Sequence, residues 1–422
     1  MATIRPFRGL LYNTKAVQLS EVVAPPYDVI SPELQHRLYE KDPHNVVRLI
    51  LNRDPDPYGS AAQAFEGWQK DETLVRDNRP AFYLLRQSFT GPRGKEFSRT
   101  GFIGLCRLEE FDKKIVLPHE KTLSKPKEDR LKLFRATESN FSQVFALYSD
   151  PQKTLAPVMD RAASGGPDLD VTYDGVRSQL WRIQHEVETA AITSFFRDRQ
   201  VLIADGHHRY ETAIAYRNER RAKDPKADPE ASYNYVMMFL TNSSDPGLVV
   251  LPTHRVIHSL RDFDADGLLA HLSKTFAIRQ YGSERAMMNA LEQGGSGSIG
   301  MVLREREPYH VLSMNAGSSY EGTEPAVVKT LDVAILHLGI LRSGLGISSQ
   351  AQEQKTNIDY MIDHDDAVET VRKGYAQAAF LLNPTPVEQV YAVATAGYTM
   401  PQKSTFFYPK LLSGLVLHSH RP

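Results

Sequence analysis

The chain has 422 residues, enough for two or three domains rather than one core. Its 50 Lys and Arg against 51 Asp and Glu leave a formal charge of -1, which excludes the footprint of a nucleic-acid or anionic-membrane binder. One cysteine, Cys106, excludes an internal disulfide scaffold or a cysteine-built zinc site and fits a reducing compartment. Met1 leads directly to Arg5, Arg8 and Lys15, and no apolar run reaches about eighteen residues, so neither a signal peptide nor a membrane span is expected. The expected location is the cytoplasm.

In chain order, Ile4–Tyr12 and Val22–Ile30 open the N-terminal third. Within the second, Pro25-Pro26-Tyr27-Asp28 is a rigid turn that turn chemistry alone explains. Ser31-Pro32 has the form of a helix start, an N-cap followed by a first-turn proline. Val46–Leu51 is expected as a strand, Ala61–Asp71 as a helix, and Ala81–Phe89 and Phe102–Leu108 as strands, with Cys106 a core thiol. Ile115–Leu117 leads through Pro118 into His119-Glu120. A charged helix over Pro126–Ala136 and a strand over Val144–Tyr148 follow.

The middle section runs through the segments Asp168–Tyr173 and Gln179–Ile183, a helix Glu186–Phe196, a strand Val201–Ala204, a helix, and strands Tyr233–Leu240 and Leu248–Leu251. After about His258 the texture changes. Asp264–Phe276 and Glu284–Gln293 are expected as helices, Ile299–Arg304 pairs with Tyr309–Met314, and Thr330–Leu341 is a further helix. Beyond lie Ala379–Leu382, a helix Val387–Ala394 and the block Met400–Lys410. There is no internal repeat. Strands and helices neither alternate strictly nor segregate, which gives a mixed α+β class. The expected segments are 1–150, 151–260 and 261–422.

The densest chemistry lies in Gln200–Tyr216. A short apolar strand stops at Asp205-Gly206, and an amphipathic helix begins at once, so Asp205, His207, His208 and Arg209 crowd one strand-to-helix turn. The first N–H groups of a helix lack intrahelical partners, and the helix dipole and Arg209 both favour negative charge there. Gly206 lets the backbone turn tightly and an anion approach. The turn is therefore read as a phosphate or carboxylate site, against the plainer reading of an N-cap on a wet first turn. His207 and Glu211, at i and i+4, can with Asp205 hold a divalent metal. Magnesium carried mainly by substrate phosphates suits a nucleotide site better.

Elsewhere the signals are weaker. His119-Glu120 reads equally as a general base or metal ligand at a strand end and as a solvated charge pair. Lys121–Arg130 supplies four cations and two hydroxyls, suited to phosphate but equally a wet helix face. Gln402-Lys403-Ser404-Thr405 lacks the glycine pattern of a P-loop, leaving Lys403 as a basic loop residue that can touch an anion.

The stretch Leu202–Ala213 resembles the signature of the ParB/sulfiredoxin superfamily, in which an apolar strand ends in a Gly- and His-containing loop that opens a helix and holds nucleotide phosphates. Its Asp-Gly-His-His-Arg form is similar to the free L-serine kinase branch. Over its full length the chain resembles a family of uncharacterised prokaryotic proteins sharing the blocks around Asp205 and Met400–Lys410. The kinase resemblance implies a phosphotransferase that uses ATP or ADP with magnesium on a small hydroxyl metabolite such as serine. It implies Glu120 as the base and the loop Asp205, Gly206, His207, His208 and Arg209 as the phosphate contacts; the residues themselves add Asp205 as a competing base and Thr212 and Lys403 as further nucleotide contacts. A nucleotide-binding switch protein and a metal-dependent hydrolase are the alternatives. No cysteine stands in the loop, which argues against sulfinic acid reduction, and no helix-turn-helix or basic surface points to DNA.

Overall fold

The computed structural model describes residues 1–120, 124–224, 226, 228–304, 309–320 and 322–421 and has the mixed α+β class. It divides into two compact units, the first containing residues 1–118, most of 122–249, and 409–421, the second 119, 120 and most of 250–408.

The first unit is built on a nine-stranded sheet. Its strands are β1 Ile4–Arg5, β2 Phe82–Thr90, β3 Glu96–Arg107, β4 Val116–Leu117, β5 Val144–Tyr148, β6 Leu169–Tyr173, β7 Val176–Ile183, β8 Val201–Asp205 and β9 Tyr235–Asn242. The order is β4-β8-β5-β9-β3-β2-β7-β6, with β1 on β3, so strands from either side of residue 150 share it. Aromatic and branched side chains make these strands. Phe82, Tyr83, Phe102, Ile103, Leu202, Ile203 and Phe239 are buried across both faces, as expected for strands covered on two sides. The helices include α1 Pro32–Lys41, α2 Val47–Ile50, α3 Pro57–Lys70, α4 Ser124–Thr137, α5 Glu186–Phe195 and α6 His207–Lys223. Ser31 caps α1 as its sequence predicts, accepting from the Leu34 N–H at 3.2 Å. Helix α6 packs against α4 and buries Tyr210, Ala213, Ile214 and Tyr216 at helical spacing.

The second unit holds a six-stranded antiparallel sheet. Its strands are β10 His254–Ile257, β11 Phe276–Tyr281, β12 Ser298–Leu303, β13 Tyr309–Met314, β14 Ile358–Met361 and β15 Ala378–Leu382, in the order β11-β13-β12-β15-β10-β14. Helices α7 Ala265–Leu272, α8 Glu284–Gly294, α9 His364–Arg372 and α10 Val387–Thr395 belong to it, and α8 and α9 pack on the sheet around Met287, Leu291, Val368 and Val371. The expected pairing of β12 with β13 is observed. Among the described residues no helix is long and apolar enough to cross a membrane.

Several expected elements differ. Val46–Leu51 is not a strand. Val47–Ile50 is helical because buried Asn45 starts a turn, its Oδ1 accepting from the Val47 N–H at 2.9 Å and its Nδ2 donating to the Glu21 and Val23 carbonyls. A short, wholly apolar run has no period to tell a strand from a buried helix. The helix expected over Asp264–Phe276 stops at Leu272, and Phe276 opens a strand recruited by β13. Thr330–Leu341 becomes a short helix, Asp332–Ala334, followed by a π-helical run, Ile335–Arg342. Strands β10 and β14 and helix α9 have no counterpart in the sequence reading, although Asp363 caps α9 through the Asp365 and Asp366 N–H groups.

Candidate functional site

Strand β8 delivers Asp205 with a change of register. Leu202 faces Leu147 and Ile203 faces Ala146, but Asp205 faces Phe145, and such a bulge re-aims the side chain at the strand end. Gly206 follows at φ 88°, ψ 30°, in the left-handed region, as the N-cap of α6. A Cβ there would also sit 2.9 Å from Arg209 Cζ and Nε, so the glycine makes room for the guanidinium. The cap is Gly206, not Asp205.

Asp205 is instead a receptor for cations. Its Oδ1 accepts from Lys410 Nζ at 2.5 Å and its Oδ2 from Arg209 Nη2 at 2.5 Å. Burial alone would raise its pKa, but Lys410, then Arg209 and His207, outweigh it and hold the carboxyl well below the usual range. Arg209 also donates to the Gln143 carbonyl. It therefore does not project freely from the first turn, as its sequence position suggests. Behind Lys410, fully buried Arg99 donates to the Pro409 carbonyl at 2.7 Å and to Gln87 Oε1 at 2.5 Å. Burial lowers its pKa to about 9, with Asp245 and Asp205 opposing the shift.

A solvent-open cavity lies in this unit, lined by Tyr27, Arg130, Phe134, Ser142, Arg209 and Thr212 among others. The Arg130 guanidinium sits 4.2 Å from the Tyr27 ring centre and donates to the Ile50 carbonyl at 2.5 Å. Ser142 Oγ shares a 2.6 Å hydrogen bond with Ser413 Oγ. Thr212 is 2% exposed, and its hydroxyl oxygen is buried without a hydrogen-bond partner. The cavity wall thus offers the hydroxyls of Tyr27, Ser139, Ser142 and Thr212 and two guanidinium groups, each also paired with a carboxylate, Asp129 for Arg130 and Asp205 for Arg209; this is donor chemistry suited to an oxyanion.

Other sequence-predicted residues fall as follows. His207 is buried and His208 half-buried in the first turn of α6. Glu211 turns to an ion pair with Lys127, so both carboxylates of the Asp205–His207–Glu211 metal reading face cationic side chains. Among the described residues, the group with metal-ligand spacing is Glu284, His364 and Asp365, in the second unit. Of the basic stretch Lys121–Arg130, residues 121–123 and the side chains of 124–126 lie outside the described residues.

His119, Glu120 and Lys403 belong to the second unit. Glu120 Oε1 accepts from the N–H groups of Ser404 and Thr405, each at 3.0 Å, and from Thr405 Oγ1 at 3.2 Å. Buried His119 places Nε2 2.9 Å from the same hydroxyl. Lys403 is exposed at φ 56°, and its carbonyl accepts from Arg255 at 3.0 Å. Sequence reasoning missed the roles of Lys410, Tyr27 and Gln143, and met Arg130 only as the last cation of the stretch Lys121–Arg130. Lys410 stands 205 positions from Asp205, with no spacing rule to join them. Tyr27 was visible only as part of a turn.

No curated protein matches the chain. Solved structures resemble it distantly. Free serine kinase in complex with AMP is 13% identical, with 71% of this chain and 85% of that one covered at a TM-score of 0.37. A conserved hypothetical protein from Pyrococcus furiosus is 13% identical, with 71% and 88% covered at 0.35. A C-terminally truncated SbnI from Staphylococcus aureus is 9% identical, with 74% and 85% covered at 0.35. A family model described as a protein of unknown function, DUF1015, matches residues 4–334, well over half of the sequence, and the chain belongs to that family.

Proposed function

We propose that the cavity at the start of α6 takes the phosphates of a nucleotide. The protein then transfers a phosphoryl group from ATP or ADP to a small hydroxyl-bearing metabolite, with free serine foremost. The observation that carries this reading is the meeting of Arg130, Arg209 and Thr212 in one cavity wall at a helix start capped by left-handed Gly206. Phosphoryl transfer asks mainly for positioning and charge neutralisation. Two guanidinium groups and the positive end of α6 supply both.

The ion pairs also sort the two acids. Asp205, held ionised by Lys410 and Arg209, is too weak a base to take a proton from a hydroxyl and acts as the anchor of the two cations. Glu120, whose Oε1 is fixed by three donors, is the proposed base, as the kinase resemblance implies. With Asp205 facing an ammonium and a guanidinium, magnesium fits this site only as an ion carried by nucleotide phosphates.

The test is turnover. Purified protein with ATP or ADP, magnesium and serine should consume nucleotide only when the acceptor is present. Nucleotide binding without turnover for any hydroxyl amino acid would leave a nucleotide-gated switch. A ligand-bound structure with phosphates away from Arg130 and Arg209 would remove the basis of the reading.

A further inference from the structure

The second unit has a solvent-open cavity of its own against the π-helical run Ile335–Arg342. The π-helix is rare, and π-bulges are frequently found at functional sites. This one contributes His337 and Leu338 to the wall.

The charged groups of the wall are of one sign. Arg255 Nε donates to His337 Nε2 at 3.1 Å, so the lone pair of that nitrogen is answered within the fold. Burial, with Arg255 adding, pushes the imidazole well below its ordinary pKa, so it is neutral. Gln352 directs its Nε2 at the His337 and Ile347 carbonyls, at 3.3 and 2.9 Å, which turns its donors away from the space. Two carboxylates line the cavity, Glu324 and the exposed Glu353. Glu324 Oε2 is buried with no hydrogen-bond partner. No Lys or Arg stands among the described lining residues. Arg255 itself is fully buried, donates to the Thr253 and Lys403 carbonyls, lies 5.2 Å from the Tyr360 ring centre and has Glu120 as a negative neighbour, so its charge is answered within the fold.

A cavity whose charged lining residues are two carboxylates, with no lining cation, selects a positively charged ligand. Val328 and Leu338 offer apolar surface for a methylene chain. We infer that this cavity binds a small organic cation carrying a primary ammonium or guanidinium group, with Glu324 and Glu353 as its counter-charges. The site is separate in its residues from the proposed phosphate site and stands whether or not phosphoryl transfer is found.

The experiment is calorimetric titration of the full chain with putrescine, agmatine and arginine, against 1,4-butanediol and glutarate as neutral and anionic controls. At least one of the three cations should bind and neither control should. Binding of putrescine and agmatine alone identifies a free amine, whereas binding of arginine as well admits an amino acid. Glu324→Gln should weaken cation binding about 10- to 100-fold, the scale of a charge-assisted hydrogen bond. Glu353→Gln, at an exposed position where the fold is not at stake, should weaken it about two- to fivefold, the scale of an exposed pair. Silence from all three cations, equal binding of the diol, tighter binding of glutarate, or unchanged affinity in both variants would each overturn the inference.

Discussion

Asp205 ends a short apolar strand and Glu120 comes three residues after one, yet the chain holds them in different ways. Asp205 meets an ammonium and a guanidinium drawn from other segments of the first unit. Glu120, in the second unit, meets two backbone N–H groups and a hydroxyl of one loop. Side-chain cations neutralise a carboxylate and are themselves oriented by it, so the Asp205 turn displays positive charge. Backbone amides orient a carboxylate and leave its formal charge in place, and at Glu120 that charge has Arg255 as a positive neighbour. The two acids thus differ in what holds them, side-chain cations at Asp205 and the amides and hydroxyl of one loop at Glu120. The proposed anion-binding residues and the proposed base rest on that difference.

The comparison breaks most visibly at Glu120→Gln. Glutamine keeps an oxygen for the Ser404 and Thr405 N–H groups, so the fold should survive with little change in melting temperature. It cannot take a proton, so turnover should fall about 10²- to 10⁴-fold with nucleotide affinity kept. Wild-type turnover in this variant beside a dead but folded Asp205→Asn would exchange the roles of the two acids.

Next in size is Lys410→Met. The methylene stem is kept while the charge that most lowers the Asp205 pKa is lost, leaving a buried carboxylate with Arg209 as its main counter-charge. The expected cost is about 2 to 4 kcal/mol in denaturant unfolding, toward the lower end of what breaking a buried pair costs because one cation remains. The pH dependence follows from the sign of the shift. The folded carboxyl ionises below the ordinary value of about 4, so its stabilisation is complete above about pH 4 and is lost as acid carries the solution down through the folded value. Lys410→Met should shrink that acid-limb contribution. An acid limb identical to wild type would mean that Arg209 alone sets the state of Asp205.

How much of this was legible beforehand depended on how local the cause was. The Val201–Asp205 strand, the glycine turn and helix α6 were readable because periodicity, Gly206 and the apolar stripe agree within seventeen residues. Ser31-Pro32 carried its own cap signal. Asn45 misled because its two side-chain bonds to Glu21 and Val23 reach across more than twenty positions and convert a strand-like run into a helix. The partners of Asp205 and Glu120 were illegible for the same reason. Lys410, Ser404 and Thr405 lie 205 or more positions away, and only the folded sheets bring them within hydrogen-bond distance. The strand β10 was hidden by its own chemistry, since His254 and Arg255 interrupt it yet are both buried.

Arg209→Ala sharpens the first half of the comparison at a smaller scale. It removes one of the two cations and strips the Gln143 carbonyl of a donor. Stability should fall by about 2 kcal/mol, and nucleotide affinity by about 1.5 to 3 kcal/mol, because the guanidinium both anchors the turn and lines the cavity. A loss of stability with affinity intact would make Arg209 a purely internal ion-pair partner.

The smallest effect, and the one that separates fold from ligand most cleanly, is expected at Thr212→Val. Valine has nearly the same shape, and in the free protein the threonine hydroxyl is buried without a hydrogen-bond partner. Burying an unanswered hydroxyl is unfavourable, so its removal should leave the protein unchanged or raise its stability by up to about 1 kcal/mol. If an oxyanion enters the cavity beside Arg130 and Arg209, that hydroxyl gains its partner on binding, and the variant should then bind nucleotide about five- to tenfold more weakly. Opposite signs for stability and affinity are the signature of a polar group kept for a ligand. A variant that loses stability would show the hydroxyl to be answered within the fold, and one that binds as tightly as wild type would move the phosphates away from α6.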